Sequence, residues 1–139
     1  MKVFFDNCTS PVLAATLHGF IAQSGDEAVH IRDLVGLQGG RSAPDVVWID
    51  YLRQHPAEWI FISADDRIRK NPAERQALRN AGLHGFIMAR GFQKQGMDKR
   101  AAALILRWSD IKRITSIVMR PAMHEIPVGT GAKLKQLPF

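Results

Sequence analysis

The first eleven residues constrain the fold more than any other stretch of the chain. Residues 3–5 (Val-Phe-Phe) are a continuous apolar run of good strand formers, which is typical of a strand buried on both faces of a parallel sheet. The run ends at Asp6, and Ser10 followed by Pro11 has the form of a helix cap and a first helical residue. We therefore expect Asp6 to lie at the carboxyl end of a central strand, where open α/β sheets bind ligands.

The rest of the chain alternates between strand-like and helix-like segments. Strands are predicted at 28–31, 59–62 and 86–88, and helices at 11–23, 46–54, 72–81 and 97–120. The last helix could be divided at Ser109 and Asp110, and two short strands near 125–126 and 133–135 could form a hairpin. This alternation predicts a single α/β domain over 1–139. We expect a mostly parallel central sheet with helices on both faces, a core over 1–120 and a C-terminal extension over 121–139.

Composition excludes several classes of protein. The 139 residues are 46% hydrophobic and 23% charged, as in ordinary globular domains, and no apolar stretch approaches the length of a membrane span. The N-terminus lacks the pattern of a secretion signal, and a single cysteine excludes an internal disulfide and a cysteine-based zinc site. We expect a cytoplasmic protein that does not interact with membranes.

The net charge of +6 is unevenly distributed. Residues 1–89 contain nine Lys or Arg against ten Asp or Glu, whereas residues 90–139 contain ten against three. The second segment therefore carries +7, which favours either a polyanionic partner or a solvated basic surface. Arg100 and Arg107 share a helical face there, so they could form a phosphate-binding stripe or simply face water.

Three aspartates are predicted to meet at one edge of the sheet. Asp6 and Asp65 each follow a very apolar strand, and Asp45 opens the helix that leads into the second of these strands. Acidic residues at such positions are often helix caps, which is the simpler interpretation of each one alone. Together, carboxylates this close would repel one another unless one took up a proton or a cation joined them. Oxygen ligands of this kind suit Mg²⁺ or Mn²⁺.

The chain resembles the PIN-domain nucleases, in particular the branch related to the VapC toxins of toxin–antitoxin pairs. The resemblance rests on Asp6-Asn7 after the first strand, the glycine-rich loop that ends at Asp45, and Ser63-Ala-Asp65 after the next buried strand. It is most specific over residues 1–90. It implies a Mg²⁺- or Mn²⁺-dependent endoribonuclease that acts on RNA as the toxin of a type II pair, with a cognate antitoxin and a tendency to form homodimers.

The resemblance also assigns roles to individual residues. Asp6, Asp45 and Asp65 would be the catalytic, metal-binding residues, and Ser63 would orient an aspartate through its hydroxyl. We expect the neighbouring Asn7 and Asp66 to support these residues, with Asp66 either a further ligand or a solvated neighbour. The sequence departs from the family pattern at Arg67, which stands where many PIN nucleases carry a fourth acid. An arginine that points inward would neutralise the site.

The basic run after the third aspartate has two interpretations. Arg67, Arg69 and Lys70 could bind RNA phosphates beside the metal, or they could pair with the neighbouring acids Asp65, Asp66 and Glu74. The departure at Arg67 favours an alternative function, that of a weakly active or inactive PIN-like module that binds RNA or protein. A response-regulator domain is a third hypothesis, but Met88-Ala89-Arg90 lacks the lysine that this class requires.

Overall fold

The computed structural model describes residues 1–139 as a single α/β domain around one six-stranded sheet. The strands are β1 (Lys2–Phe5), β2 (Glu27–His30), β3 (Trp59–Ser63), β4 (His84–Met88), β5 (Ala122–Ile126) and β6 (Lys135–Leu137). Their order in the sheet is β2-β1-β3-β4-β5-β6. Neighbours from β2 to β5 are parallel, and only β6 runs antiparallel to its neighbour β5. The predicted mostly parallel sheet is confirmed.

Four α-helices connect the strands, and local sequence explains where they begin and end. They are α1 (Pro11–Ile21), α2 (Asp45–Arg53), α3 (Pro72–Ala81) and α4 (Met97–Ile117). The Ser10 hydroxyl and the Asn71 amide oxygen accept hydrogen bonds from the first free backbone amides of α1 and α3. Gly82 ends α3 with φ of 64°, a left-handed conformation that glycine adopts without strain. None of these helices combines the length and the apolar character needed to cross a bilayer.

The helices cover both faces of the sheet. Successive residues of a strand point to opposite faces, so neighbouring residues of one strand pack under different helices. Val3 and Phe5 pack in the core under α1 and α4, whereas Phe4 packs under α2 and α3. The Trp48 ring from α2 lies 4.8 Å from the Phe4 ring, centroid to centroid, and 5.3 Å from that of Phe61. The sheet is therefore buried on both faces, which accounts for its apolar strands.

A glycine in β4 permits one of these packing contacts. A Cβ on Gly85 would collide with the Phe61 ring and the Met123 sulfur on the two neighbouring strands. The aromatic ring of β3 therefore crosses over β4 at the one position that has no side chain.

The C-terminal part of the chain is integrated into the sheet. The two predicted short strands are present as β5 and β6, and α4 continues through Ser109 and Asp110 as one helix. The Arg107 side chain is 11% exposed, and its guanidinium donates to the carbonyls of Gly129, Thr130 and Ala132. Both interpretations of Arg107, as part of a phosphate-binding stripe and as a residue that faces water, are therefore wrong, since this buried arginine holds the loop before β6.

Candidate active site

The neighbouring strands β1 and β3 bring Asp6 and Asp65 to the same edge of the sheet. Phe5 is in register with Ile62, and the Asp6 amide donates to the Ile62 carbonyl at 3.4 Å. Asp6, the first residue after β1, therefore lies beside Ser63 at the end of β3. Asp65 follows Ser63 by two residues. The helix α2 starts at this edge, which places Asp45 within electrostatic reach of Asp6. The convergence predicted from the sequence is present in the structure.

Asp6 is the most deeply buried of these acids. Its residue is 2% exposed, and burial, with smaller contributions from Asp45 and Asp65, raises its pKa from 3.8 to about 7. Hydrogen bonds from Ser63 and the Cys8 amide act in the opposite direction but do not cancel the cost of burial. Near neutral pH this carboxylate is costly to ionise, and a cation placed beside it would remove much of that cost.

Ser63 joins the first and third aspartates. Its hydroxyl lies close enough to the Asp6 carboxylate to lower the Asp6 pKa, and its oxygen accepts from the Asp65 backbone amide at 3.0 Å. The Ser63 residue has no exposed surface, because it is the last residue of β3 and lies inside the sheet. One hydroxyl therefore lies between the two acid-bearing strand ends.

Arg67 holds Asp65 in a two-pronged ion pair. The guanidinium Nε and Nη2 atoms each lie 2.9 Å from a different oxygen of the carboxylate, and the Arg67 backbone amide adds a bond of 3.0 Å. These bonds to Arg67 lower the Asp65 pKa and outweigh its partial burial. Arg67 is itself 87% exposed, so only the ion pair positions its side chain.

Asp45 has two partners, one of which the sequence analysis missed. Its carboxylate accepts from the Trp48 indole nitrogen at 2.8 Å, and the Glu74 carboxyl on α3 lies close enough for Asp45 to raise the Glu74 pKa. Partial burial, the neighbouring Asp45 and the more distant Asp65 all raise the Glu74 pKa. Glu74 is therefore a fourth acid at this edge of the sheet.

The sequence contained a misleading signal at Glu74. This residue lies three positions after Asn71, where a glutamate normally bonds back to the amide of the helix cap. In the structure the Asn71 amide donates instead to the Arg67 carbonyl at 2.9 Å, so the glutamate side chain is free to face Asp45. Its position was visible in the sequence, but its direction depended on how α3 packs against α2.

The remaining predicted residues lie around the aspartates. The Asn7 side-chain oxygen accepts from Arg41 Nε at 3.0 Å, and Asp66 forms ion pairs with Arg69 and Lys70. Arg69 also donates to the Pro138 carbonyl, and its side chain is 16% exposed. Asn7 and Asp66 therefore interact with basic neighbours, and their supporting roles stay predictions. The proposed phosphate contacts of Arg67, Arg69 and Lys70 also stay predictions.

The cysteine beside the site is a neutral thiol. The Cys8 sulfur lies 3.9 Å from an Asp65 oxygen, and burial together with Asp6 and Asp65 raises its pKa to about 11. A thiol that stays protonated at neutral pH is a poor nucleophile. Cys8 therefore offers no covalent chemistry here.

The carboxylate oxygens of this site are the kind of ligand that a hard divalent cation prefers, although they are not positioned to coordinate one ion together. Four carboxylates converge, and one of them has its pKa raised to about 7 by burial and by its acidic neighbours. No three histidine, cysteine or acidic side chains are spaced to ligate one ion as they stand. The Arg67 pair and the Trp48 bond hold Asp65 and Asp45 in other interactions, so metal binding would require Arg67 to release Asp65.

Comparison with known proteins agrees with this geometry. Residues 1–90 match the model of a family described as the PIN-like domain. Because the match covers more than half of the 139 residues, the chain belongs to the PIN-like domain family. No curated protein and no solved structure matches the chain significantly. PIN domains are generally nucleases, so the family places the chain among hydrolases of nucleic acids.

Proposed function

We propose that the protein is a Mg²⁺- or Mn²⁺-dependent endoribonuclease that acts at the edge of the sheet containing Asp6. The observation that supports this most strongly is the buried Asp6 carboxylate, which faces Asp45 and Asp65 and whose pKa is raised to about 7. The arrangement lowers the stability of the metal-free protein, and a bound cation would offset that cost, as at functional sites where perturbed carboxylates concentrate. Family membership supports nucleic acid as the substrate.

In this proposal Asp6, Asp45 and Asp65 hold the metal, and Glu74 is the fourth acid. A bound divalent ion would supply an activated water and stabilise the negative charge that develops on the phosphodiester. The protein fixes the positions of the ligands: Ser63 lies between the two strand-end aspartates, and Trp48 orients Asp45. Metal binding would require Arg67 to release Asp65, and its guanidinium would then be available to contact a phosphate.

The biological setting is proposed from the resemblance to the VapC branch. The protein would act in the cytoplasm as the toxin of a type II pair, and its antitoxin would insert a basic residue among the carboxylates. The Arg67–Asp65 pair shows that a guanidinium fits against this acid. A homodimer would use exposed apolar side chains of α4, such as Leu106 and Ile117, which are 65% and 72% exposed.

The nuclease proposal is tested by incubating labelled single-stranded RNA with purified protein in Mn²⁺, in Mg²⁺ and in excess EDTA. We expect cleavage that requires the metal and is lost in Asp6→Asn and Asp65→Asn. Asp50→Asn is the matched control, because Asp50 lies on the surface of α2 and pairs with Arg53. Cleavage that persists equally in all three variants would come from a contaminant and would refute the proposal.

The Arg67–Asp65 pair also supports a second candidate function, a PIN-like binding module without catalysis. If Arg67 never releases Asp65, the site is neutralised and RNA or protein binding does not respond to metal. Binding of RNA with the same affinity in Mn²⁺ and EDTA, together with no cleavage by either wild type or Arg67→Gln, would select this alternative.

A further inference from the structure

A groove leads away from Asp65 across the carboxyl ends of β3, β4 and β5. Its volume is about 960 Å³, at the upper end of the roughly 300–1,000 Å³ typical of ligand sites. Its floor includes the apolar Met88, and its far wall is formed by Arg90, Gln93 and Glu125. Three adjacent strands span about 10 Å, a distance that one or two nucleotides of a single strand can cover.

The two walls of the groove differ in whether their cations form ion pairs. On the near wall, the cations Arg67 and Lys70 are paired with Asp65 and Asp66. On the far wall, Arg90 is exposed and takes part in none of the ion pairs or side-chain hydrogen bonds of the protein. It is the one cation of the basic segment 90–139 that lines this groove.

Glu125 is an acidic residue that lines the same groove as Arg90 and also forms no ion pair. It lies in β5, is half-buried, and pairs neither with Arg90 in the same groove nor with Lys135, its neighbour in register on β6. A cation and an anion that face one groove without meeting leave room for a ligand that has both a negative group and a hydrogen-bond donor. A nucleotide whose base is cytosine, adenine or guanine has both, in its phosphate and in the amino group of its base.

The lining charges also exclude a general attraction for polyanions. Three cations and three carboxylates line the groove, so their charges cancel. Binding must then depend on position, with the phosphate near the cation and a donor near the carboxylate. Among pyrimidines, cytosine offers an amino group where uracil offers a carbonyl oxygen, which a carboxylate repels.

We propose that this groove binds the nucleotide next to the cleaved bond, with Arg90 holding a phosphate that is not cleaved and Glu125 selecting cytosine over uracil. The proposal rests on the proposed function in taking nucleic acid as the ligand and the aspartate edge as the place of cleavage, but binding in the groove is measured without cleavage. Arginine suits the first role because its planar fork of donors matches phosphate oxygens. Glutamate suits the second because it accepts from the cytosine amino group.

The experiment measures binding separately from cleavage, in excess EDTA, by the fluorescence anisotropy of labelled oligo(rC) and oligo(rU) octanucleotides. We expect wild type to bind oligo(rC) at least about fivefold more tightly than oligo(rU). Arg90→Gln should weaken both by about tenfold and reduce the slope of log affinity against log salt by about 0.7, the value for one phosphate contact on a single strand. An oligo(dC) arm tests whether the sugar contributes.

Two matched controls accompany these variants. Lys94→Gln removes one positive charge from the short 3₁₀ helix Arg90–Lys94, as Arg90→Gln does. Lys94 does not line the groove, so this variant should bind both oligonucleotides with the affinity of wild type. Glu125→Gln should abolish the preference for oligo(rC), because an amide both donates and accepts, whereas Glu27→Gln on the distant edge strand β2 should retain it. Thermal unfolding confirms that each variant is folded.

The outcomes separate this proposal from the nuclease proposal. Equal binding by Arg90→Gln and Lys94→Gln, or a preference for oligo(rC) that survives Glu125→Gln, would overturn the roles given to the groove. The same conclusion follows if wild type binds neither oligonucleotide. Binding that depends on Arg90 in a protein that never cleaves RNA would support the groove and refute the nuclease.

Discussion

Replacing Asp6 with asparagine should make the metal-free protein more stable while it abolishes activity. The side chains have nearly the same shape, and asparagine can still accept from the Cys8 amide, so the packing is preserved. The difference is the charge. The pKa of Asp6 is 3.8 in the unfolded chain and about 7 in the folded protein, because burial and the neighbouring acids penalise the ionised form.

The size and the pH range of the effect follow from that shift. A difference of about three pKa units corresponds to roughly 4 kcal/mol, since each unit is worth about 1.4 kcal/mol. Because the folded pKa is raised, the wild type loses this stability as the pH rises from about 4 to about 7. Below that range the carboxyl is protonated in both states and the penalty disappears. Asparagine never ionises, so Asp6→Asn gains its full advantage only above about pH 7.

Urea unfolding in excess EDTA, near pH 5 and near pH 8, measures this effect. We expect Asp6→Asn to exceed wild type by about 4 kcal/mol near pH 8 and by only 1–2 kcal/mol near pH 5. Asp65→Asn should change stability in the opposite direction near pH 8, because Arg67 lowers the pKa of Asp65. If Asp6→Asn were destabilising by the same amount at both pH values, Asp6 would not be an ionised, buried group and the argument for the cation site would fail.

Three further changes test the same picture. Arg67→Gln should strengthen Mn²⁺ binding by roughly two- to fivefold in titration calorimetry, since an exposed ion pair no longer competes for Asp65; unchanged affinity would show that the pair does not block the site. Glu74→Gln should weaken Mn²⁺ binding by about tenfold or more, while the exposed Glu27→Gln does not; equal affinities would remove Glu74 from the site. Arg107→Ala should lower the free energy of unfolding by about 3 kcal/mol and expose the loop at 129–132 to protease, because three carbonyls lose a charged donor; a change below about 1 kcal/mol would contradict that role.

The sequence by itself determined the strands, the helices and the three aspartates. Runs such as 3–5 and 59–62 are so apolar that only a sheet covered on both faces could bury them. Asp6 and Asp65 were predictable because each follows such a run directly, and parallel strands end at a common edge. These features are local in the chain, so local patterns reveal them.

Only the tertiary structure decided where the long polar side chains point. Glu74 looked like a capping residue until the packing of α3 against α2 turned it toward Asp45. Arg107 looked like a surface cation, yet it is buried against a loop more than twenty residues away in sequence. Arg90 and Glu125 come to one groove because β4 and β5 are neighbours. Flexible side chains take their direction from whichever partner the fold brings near, and no local pattern encodes that partner.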